Sequence, residues 1–207
     1  MATFDERAAE RDSPEHVARA EAAADEFVAS VPIQAGTRAI ELGAGTGLLG
    51  LAIRERVGPG RLTELVLTDP SVGMLQVADG KIRDLELAGV ATVRWALGAD
   101  PAPPGAPFDL ALSLLMLHHA EDTEAALRAV RGLLAPGGRV ALADLDTEDG
   151  SFHTAEAEGI HHHGFDRERL RTLAERAGFD EVAFGSAGAM EREGRTYPLF
   201  LLTARAR

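Results

Sequence analysis

Residues 37–50 read Thr-Arg-Ala-Ile-Glu-Leu-Gly-Ala-Gly-Thr-Gly-Leu-Leu-Gly. Thr37–Leu42 has the makings of a short strand, and the run Gly43-Ala44-Gly45-Thr46-Gly47 ends it. A helix then follows through Leu48, Leu49, Ala52 and Ile53. Glycines let the backbone turn sharply and approach a ligand with no Cβ in the way. The helix start beyond them offers free N–H groups to an anion. Strand, glycine turn and helix in that order are the opening unit of a parallel α/β sheet that binds a ligand at its strand ends.

The pattern repeats outward from this unit. Upstream, Val17, Ala20, Ala24, Phe27, Val28 and Val31 share one face of a helix over 14–31, with Ser13 as cap and Pro14 in its first turn. Downstream, Leu65–Thr68 is a strand and Ser71–Leu87 a helix with Met74, Leu75, Ala78, Ile82 and Leu85 inward. Ala91–Leu97 is a third strand, and Phe108–Leu115 a fourth, apolar on both faces as a central parallel strand is. Glu121–Leu134 is helical and stops at Pro136-Gly137-Gly138; Arg139–Asp144 is the fifth strand. Asp166–Ala177 is a helix capped by Asp166 and closed by Gly178. Glu181–Phe184 and Thr196–Ala204 have no helix between them and form an antiparallel hairpin. This is a single α/β domain over 1–207: a Rossmann-like, doubly wound, mostly parallel sheet with helices on both faces.

Composition narrows the function. With no cysteine there is no disulfide, thiolate nucleophile or thiolate zinc site. A net charge of -12 argues against a nucleic-acid substrate, which needs a cationic face. No apolar run is long enough to span a bilayer, and Asp5, Glu6 and Glu10 are unlike a signal peptide, so a cytoplasmic protein is expected. The sequence does not reveal an oligomeric state.

The strand ends carry the chemistry. Asp69 ends the second strand and can accept two hydrogen bonds from vicinal ribose hydroxyls. Together with the glycine loop it points to an adenosine-bearing cofactor. Gly45-Thr46-Gly47-Leu48-Leu49-Gly50 also satisfies the GxGxxG pattern of nicotinamide binders, which makes an oxidoreductase the competing reading. Against it, Glu41 would repel a pyrophosphate but suits a cationic ammonium or sulfonium. The chain also shows no second, substrate-binding domain.

Glu41–Gly47, Asp69-Pro70-Ser71 with Met74-Leu75, Phe108-Asp109-Leu110, Leu117-His118-His119 and Leu134-Ala135-Pro136-Gly137-Gly138-Arg139 resemble the successive motifs of class I S-adenosylmethionine-dependent methyltransferases. The likeness runs from about residue 4 to the C-terminus. It is strongest to small bacterial methyltransferases of unassigned substrate, through Phe4-Asp5, Ala8-Ala9, Asp144–His153 and His163-Gly164-Phe165-Asp166. The resemblance implies a seven-stranded sheet with its last strand antiparallel. It also implies S-adenosylmethionine as cofactor, bound in a core over 37–145. Glu41, Gly43, Ala44, Gly45 and Gly47 would wrap its methionyl part and Asp69 its ribose. Pro70, Met74 and Leu115 would line the site, and Asp100 would meet the adenine amino group. A non-catalytic module keeping this fold would be expected to have lost the glycine loop or the carboxylate, and both are intact.

The acceptor is read as a small molecule with an oxygen, nitrogen or sulfur nucleophile. A general base for it should lie beyond the fourth or fifth strand. His118 and His119 leave the fourth strand, so that one of them, His119 in particular, can face the cofactor or merely line its wall. Residues 146–165 read as a lid. They combine Asp146, Glu148, Asp149, Glu156 and Glu158 with His153 and His163, and Phe152 and Phe165 sit beside these histidines as anchors. His153, His163 and His119 are therefore the catalytic candidates, while a solvated acidic loop is the plainer alternative. No metal site is expected, because neighbours in His161–His163 point to opposite faces of an extended chain. His153 and His163 with an aspartate are the competing ligand set.

Overall fold

The computed structural model describes residues 8–10, 12–153 and 159–207. Phe4, Asp5, Glu6, Glu156 and Glu158, named above, lie outside them. The elements run α1 (Pro14–Ser30), β1 (Thr37–Leu42), α2 (Leu48–Val57), β2 (Leu62–Asp69), α3 (Val72–Asp84), β3 (Val90–Arg94), β4 (Phe108–Leu114), α4 (Thr123–Gly132), β5 (Leu134–Leu145), α5 (Arg167–Arg176), β6 (Phe179–Arg192) and β7 (Arg195–Ala206).

One seven-stranded sheet has the order β3-β2-β1-β4-β5-β7-β6. Pairing is parallel from β3 to β5, and β7 runs antiparallel to both β5 and β6. Successive residues of each central strand face opposite sides, as the pleat requires. Ala39, Leu65, Leu67, Leu110 and Leu112 join one core with α1 and α2. Ile40, Val66, Ala111, Val140 and Leu142 join the other with α4 and α5. Both faces are thus sealed, and ligands are left the strand ends. The order reverses between β1 and β4, the point where such sheets bind ligands.

Local chemistry sets the helix starts. Ser13, Ser71, Asp122 and Asp166 each accept a backbone N–H with the side chain, capping α1, α3, α4 and α5. These caps start α3 and α4 one to two residues later than the apolar periodicity suggests. β3 ends at Arg94, because Trp95–Leu97 turn away from the ladder toward the ligand site. β5 begins at Leu134, before the Pro-Gly-Gly run, which lies where its register on β4 shifts. The final hairpin is much longer than its apolar runs. Glu193 (φ 51) and Gly194 (φ 74) form a two-residue turn of left-handed conformations, which suits the twist of flanking strands. Register shifts in β6 absorb the Gly185–Gly188 stretch that reads as loop in the sequence.

Candidate functional site

The strands part where the site begins. β1 pairs with β4 only over Ala39–Glu41. Buried hydroxyls satisfy the carbonyls this leaves: Thr68 donates to Glu41 O at 2.7 Å and Ser113 to Leu42 O at 2.9 Å. Gly43 and Gly47 then adopt φ of 64° and 80°, and Gly47 stands at the N-terminus of α2. A Cβ on Gly43 would lie 2.7 Å from Met116, so a larger residue would displace the chain beyond β4. At Gly45 a Cβ would meet nothing within 4 Å, since the loop there borders open space.

That space is a cavity of about 550 Å³. Glu41, Gly43, Ala44, Gly45, Asp69 and Pro70 line it, as do Met74, Leu115 and His119. Gly47 shapes the loop from behind. Asp69 joins the two strand ends, its Oδ2 accepting Gly45 N at 2.9 Å and its Oδ1 accepting Ser71 N at 2.8 Å. Glu41 is 2% exposed, with Oε2 accepting Gly50 N at 3.0 Å. Burial pushes its carboxyl up to about 8; the nearby Asp69 charge adds to this, and the Gly50 bond and Lys81 oppose it. The third glycine of the GxGxxG run has its explanation here: a Cβ on Gly50 would sit 2.3 Å from Glu41 Oε2. The spacing serves a buried carboxylate and not a pyrophosphate.

Asp100 is placed elsewhere than expected. It is exposed and outside the cavity lining, and its Oδ2 accepts Ala96 N at 2.9 Å. It closes the turn that brings Trp95, Ala96 and Leu97 to the cavity wall. In the sequence Trp95 stands only within the third strand, Ala91–Leu97. Its Nε1 donates to Pro101 O at 2.7 Å, and its ring supplies apolar wall. His16 and Arg19 on α1 also border the cavity, an unforeseen role for a helix chosen on its apolar face.

Beyond β4 and β5 the histidines gather. A 3₁₀ turn, Leu117–His119, follows β4. His119 faces the cavity, and its Nδ1 lies 2.8 Å from Gly159 O, another cavity residue. His118 turns inward instead, with Nδ1 2.7 Å from Asp144 Oδ1 and both residues buried. In the sequence Asp144 stands only as the end of the fifth strand, with nothing to mark this partnership. The His153 ring is 5.0 Å from that of His118 and edge-on to Phe152. Burial, with the neighbouring His118 and His119, lowers the His153 pKa to about 4, so the ring is neutral at pH 7. His163 is exposed, 3.5 Å from Glu148 Oε1 and outside the cavity lining. Phe152 and Phe165 are buried, Phe152 against Tyr197 and Phe165 against Phe200. Arg167 grips Asp146 with two bonds of 2.6 Å, and Arg195 holds Asp149 at 2.8 Å. Among the described residues no three His, Asp or Glu side chains converge as a metal would require.

The residues fit S-adenosylmethionine: a buried carboxylate for its cationic end, a second for its ribose, and an apolar wall for its base. The sequence matches a model described as "Methyltransferase domain" over residues 40–140. That match spans just under half of the chain and, with the relatives that follow, supports an S-adenosylmethionine-dependent methyltransferase. It is 26% identical to the ubiquinone/menaquinone biosynthesis C-methyltransferase UbiE of Ralstonia nicotianae over 76% of this chain and 73% of that one. In fold it is similar to a chain of the complex between the Haloferax volcanii Trm112 methyltransferase activator and a putative methyltransferase. That match has a TM-score of 0.79 at 19% identity, over 100% and 98% of the two chains. It is also similar to Haemonchus contortus phosphoethanolamine N-methyltransferase 2, solved with S-adenosyl-L-methionine. There the TM-score is 0.71 at 14% identity, over 100% of this chain and 60% of that one. The nicotinamide reading of the glycine loop is thereby set aside. Among the described residues no helix is long and apolar enough to cross a membrane.

Proposed function

We propose that this enzyme methylates a small-molecule acceptor held between the cofactor and the His119 turn. The observation that carries the reading is one cavity of about 550 Å³ bordered both by Glu41 and Asp69 and by His119. That volume is typical of metabolite sites. The chain's net charge of -12 suits no polyanionic substrate. The sequence pointed to oxygen, nitrogen or sulfur acceptors; the name of the Ralstonia relative adds carbon, and a carbon nucleophile is the first class to test.

In this reading Glu41 faces the cofactor's ammonium, the Gly43–Gly47 loop wraps its methionyl chain, and Asp69 binds the ribose. Met74, Leu115 and Trp95 flank the base. When bound, the cofactor supplies a methyl carbon that an acceptor's electron pair captures as the carbon–sulfur pair returns to sulfur. The protein contributes mainly position, worth roughly 7–11 kcal/mol of barrier. Where the acceptor must lose a proton, His119 takes it: the Gly159 carbonyl can only accept, so Nδ1 carries the hydrogen and Nε2 of the neutral ring is basic. His153 and His163 belong to the 146–165 lid and act by shaping its closure.

The test is calorimetric titration with S-adenosylhomocysteine against NADH, followed by a methyl-acceptor screen beginning with electron-rich ring carbons. One-to-one binding of the former alone and methylation of a metabolite are expected. Binding of NADH alone, or methylation only of protein or nucleic acid, overturns the reading.

A further inference from the structure

Asp144 at the end of β5 is fully buried and accepts three hydrogen bonds from two directions. Its Oδ2 takes His118 N at 3.1 Å, and its Oδ1 takes His118 Nδ1 at 2.7 Å and Leu145 N at 2.8 Å. These bonds fix the orientation of the carboxyl group and, through Nδ1, that of the His118 ring. His118 is 3% exposed and is not itself part of the cavity wall. Its ring centroid lies 4.2 Å from that of His119, which is part of that wall. The His118 carbonyl receives His161 N at 3.0 Å and His162 N at 3.3 Å, so the returning limb of the 146–165 loop docks on the same turn. The His153 ring lies 5.0 Å from that of His118, tilted by 41°.

We propose that Asp144 and His118 are positioning residues for His119, a buried couple that holds the turn and keeps the basic nitrogen of His119 toward the acceptor. The inference rests on the methyl-transfer reading above. A buried polar pair would be a poor choice for stability alone: taking polar groups out of water costs desolvation that apolar packing would not. It is well suited to holding a neighbouring ring within the narrow tolerance that proton transfer needs. The couple touches neither cofactor-binding carboxylate and leaves that end of the cavity to Glu41 and Asp69.

The test compares His118→Asn with His118→Ala in the full chain, with Asp144→Asn measured in parallel. An asparagine amide can place its nitrogen where Nδ1 stands and still donate to Asp144; alanine cannot. Long-range proton–nitrogen NMR of the His119 ring is recorded without ligand and with S-adenosylhomocysteine. Wild type and His118→Asn should show His119 as a single Nδ1–H tautomer. His118→Ala and Asp144→Asn should lose that signal to a tautomer mixture, with S-adenosylhomocysteine affinity changed less than threefold. An unchanged His119 signature in His118→Ala overturns the proposal, and so does equal loss in His118→Asn and His118→Ala, which would make the imidazole itself the requirement. Should His118→Ala not fold, His118→Asn with a disturbed signature still overturns it. Failure of wild type to bind S-adenosylhomocysteine would count against the proposed function, while the ring spectra without ligand would still decide the coupling.

Discussion

The cofactor end of the cavity and its histidine end are built in opposite ways. At the cofactor end, side chains grip backbone: beside the glycine loop, Asp69 bonds to Gly45 and Ser71 and Glu41 to Gly50. At the histidine end and in the segment docked on it, side chains meet side chains: His118 with Asp144, Arg167 with Asp146, Arg195 with Asp149. A backbone cradle tolerates little change and suits an invariant ligand. A side-chain clasp can be altered residue by residue, and suits the partner that differs from one enzyme to the next.

If the two ends are separable, damage to one should spare the other. Gly164→Ala carries the largest expected effect. Gly164 has φ of 73°, and a Cβ there would fall 2.0 Å from the Asp146 carbonyl oxygen. Undocking the loop should cost about 3 kcal/mol in urea unfolding, with S-adenosylhomocysteine affinity within threefold of wild type. Collapse of that affinity would show the ends to be one unit. Asp69→Ala comes next. Losing charge-assisted bonds should weaken S-adenosylhomocysteine by about 10- to 100-fold, or roughly 1.4–2.8 kcal/mol, while the spectra of His118 and His119 stay unchanged.

Glu41→Gln sharpens the comparison through pH. Glutamate ordinarily ionises near 4.5, but in the fold only at about 8. Between these values the folded chain holds a proton that the unfolded chain has released. Glu41 therefore contributes stability that is full below 4.5 and is lost as pH rises toward 8, by at most about 1.4 kcal/mol per unit. The glutamine variant should flatten that slope. A bound ammonium would draw the proton off Glu41, so near pH 7 the wild type should release protons on binding. Calorimetric heats should then vary with buffer for wild type and not for Glu41→Gln. The smallest effect is expected of Arg167→Ala. Its partly exposed pair with Asp146 should be worth about 1 kcal/mol or less, read as faster hydrogen exchange over 146–165 and an unmoved cofactor affinity.

The same contrast explains what the sequence revealed. Glycine spacing, Asp69 and the hairpin were readable because their causes are local: a turn, a strand end, a missing helix. The environment of Asp100 was not readable because position after β3 says nothing of rotamer; its side chain closes a turn outside the cavity lining. The His118–Asp144 couple was hidden because a contact between two side chains leaves no local pattern, as a glycine turn or a strand end does. Trp95 drew no notice because a tryptophan that packs and one that lines a cavity are the same letter.

The placement of β7 has a consequence for how the protein is made. β7 follows β6 in the chain but lies between β5 and β6, with Leu199–Leu202 fully buried. During synthesis β6 emerges from the ribosome before β7, the strand it pairs with among the described residues. Both of its edges are then open to other nascent chains, the hazard of any unpaired strand. Glycines at 185 and 188 and charges at Asp180, Glu181, Glu191 and Arg192 make β6 a poor template for such pairing. The features that hid this strand from a sequence reader also keep it soluble while it waits for its neighbour.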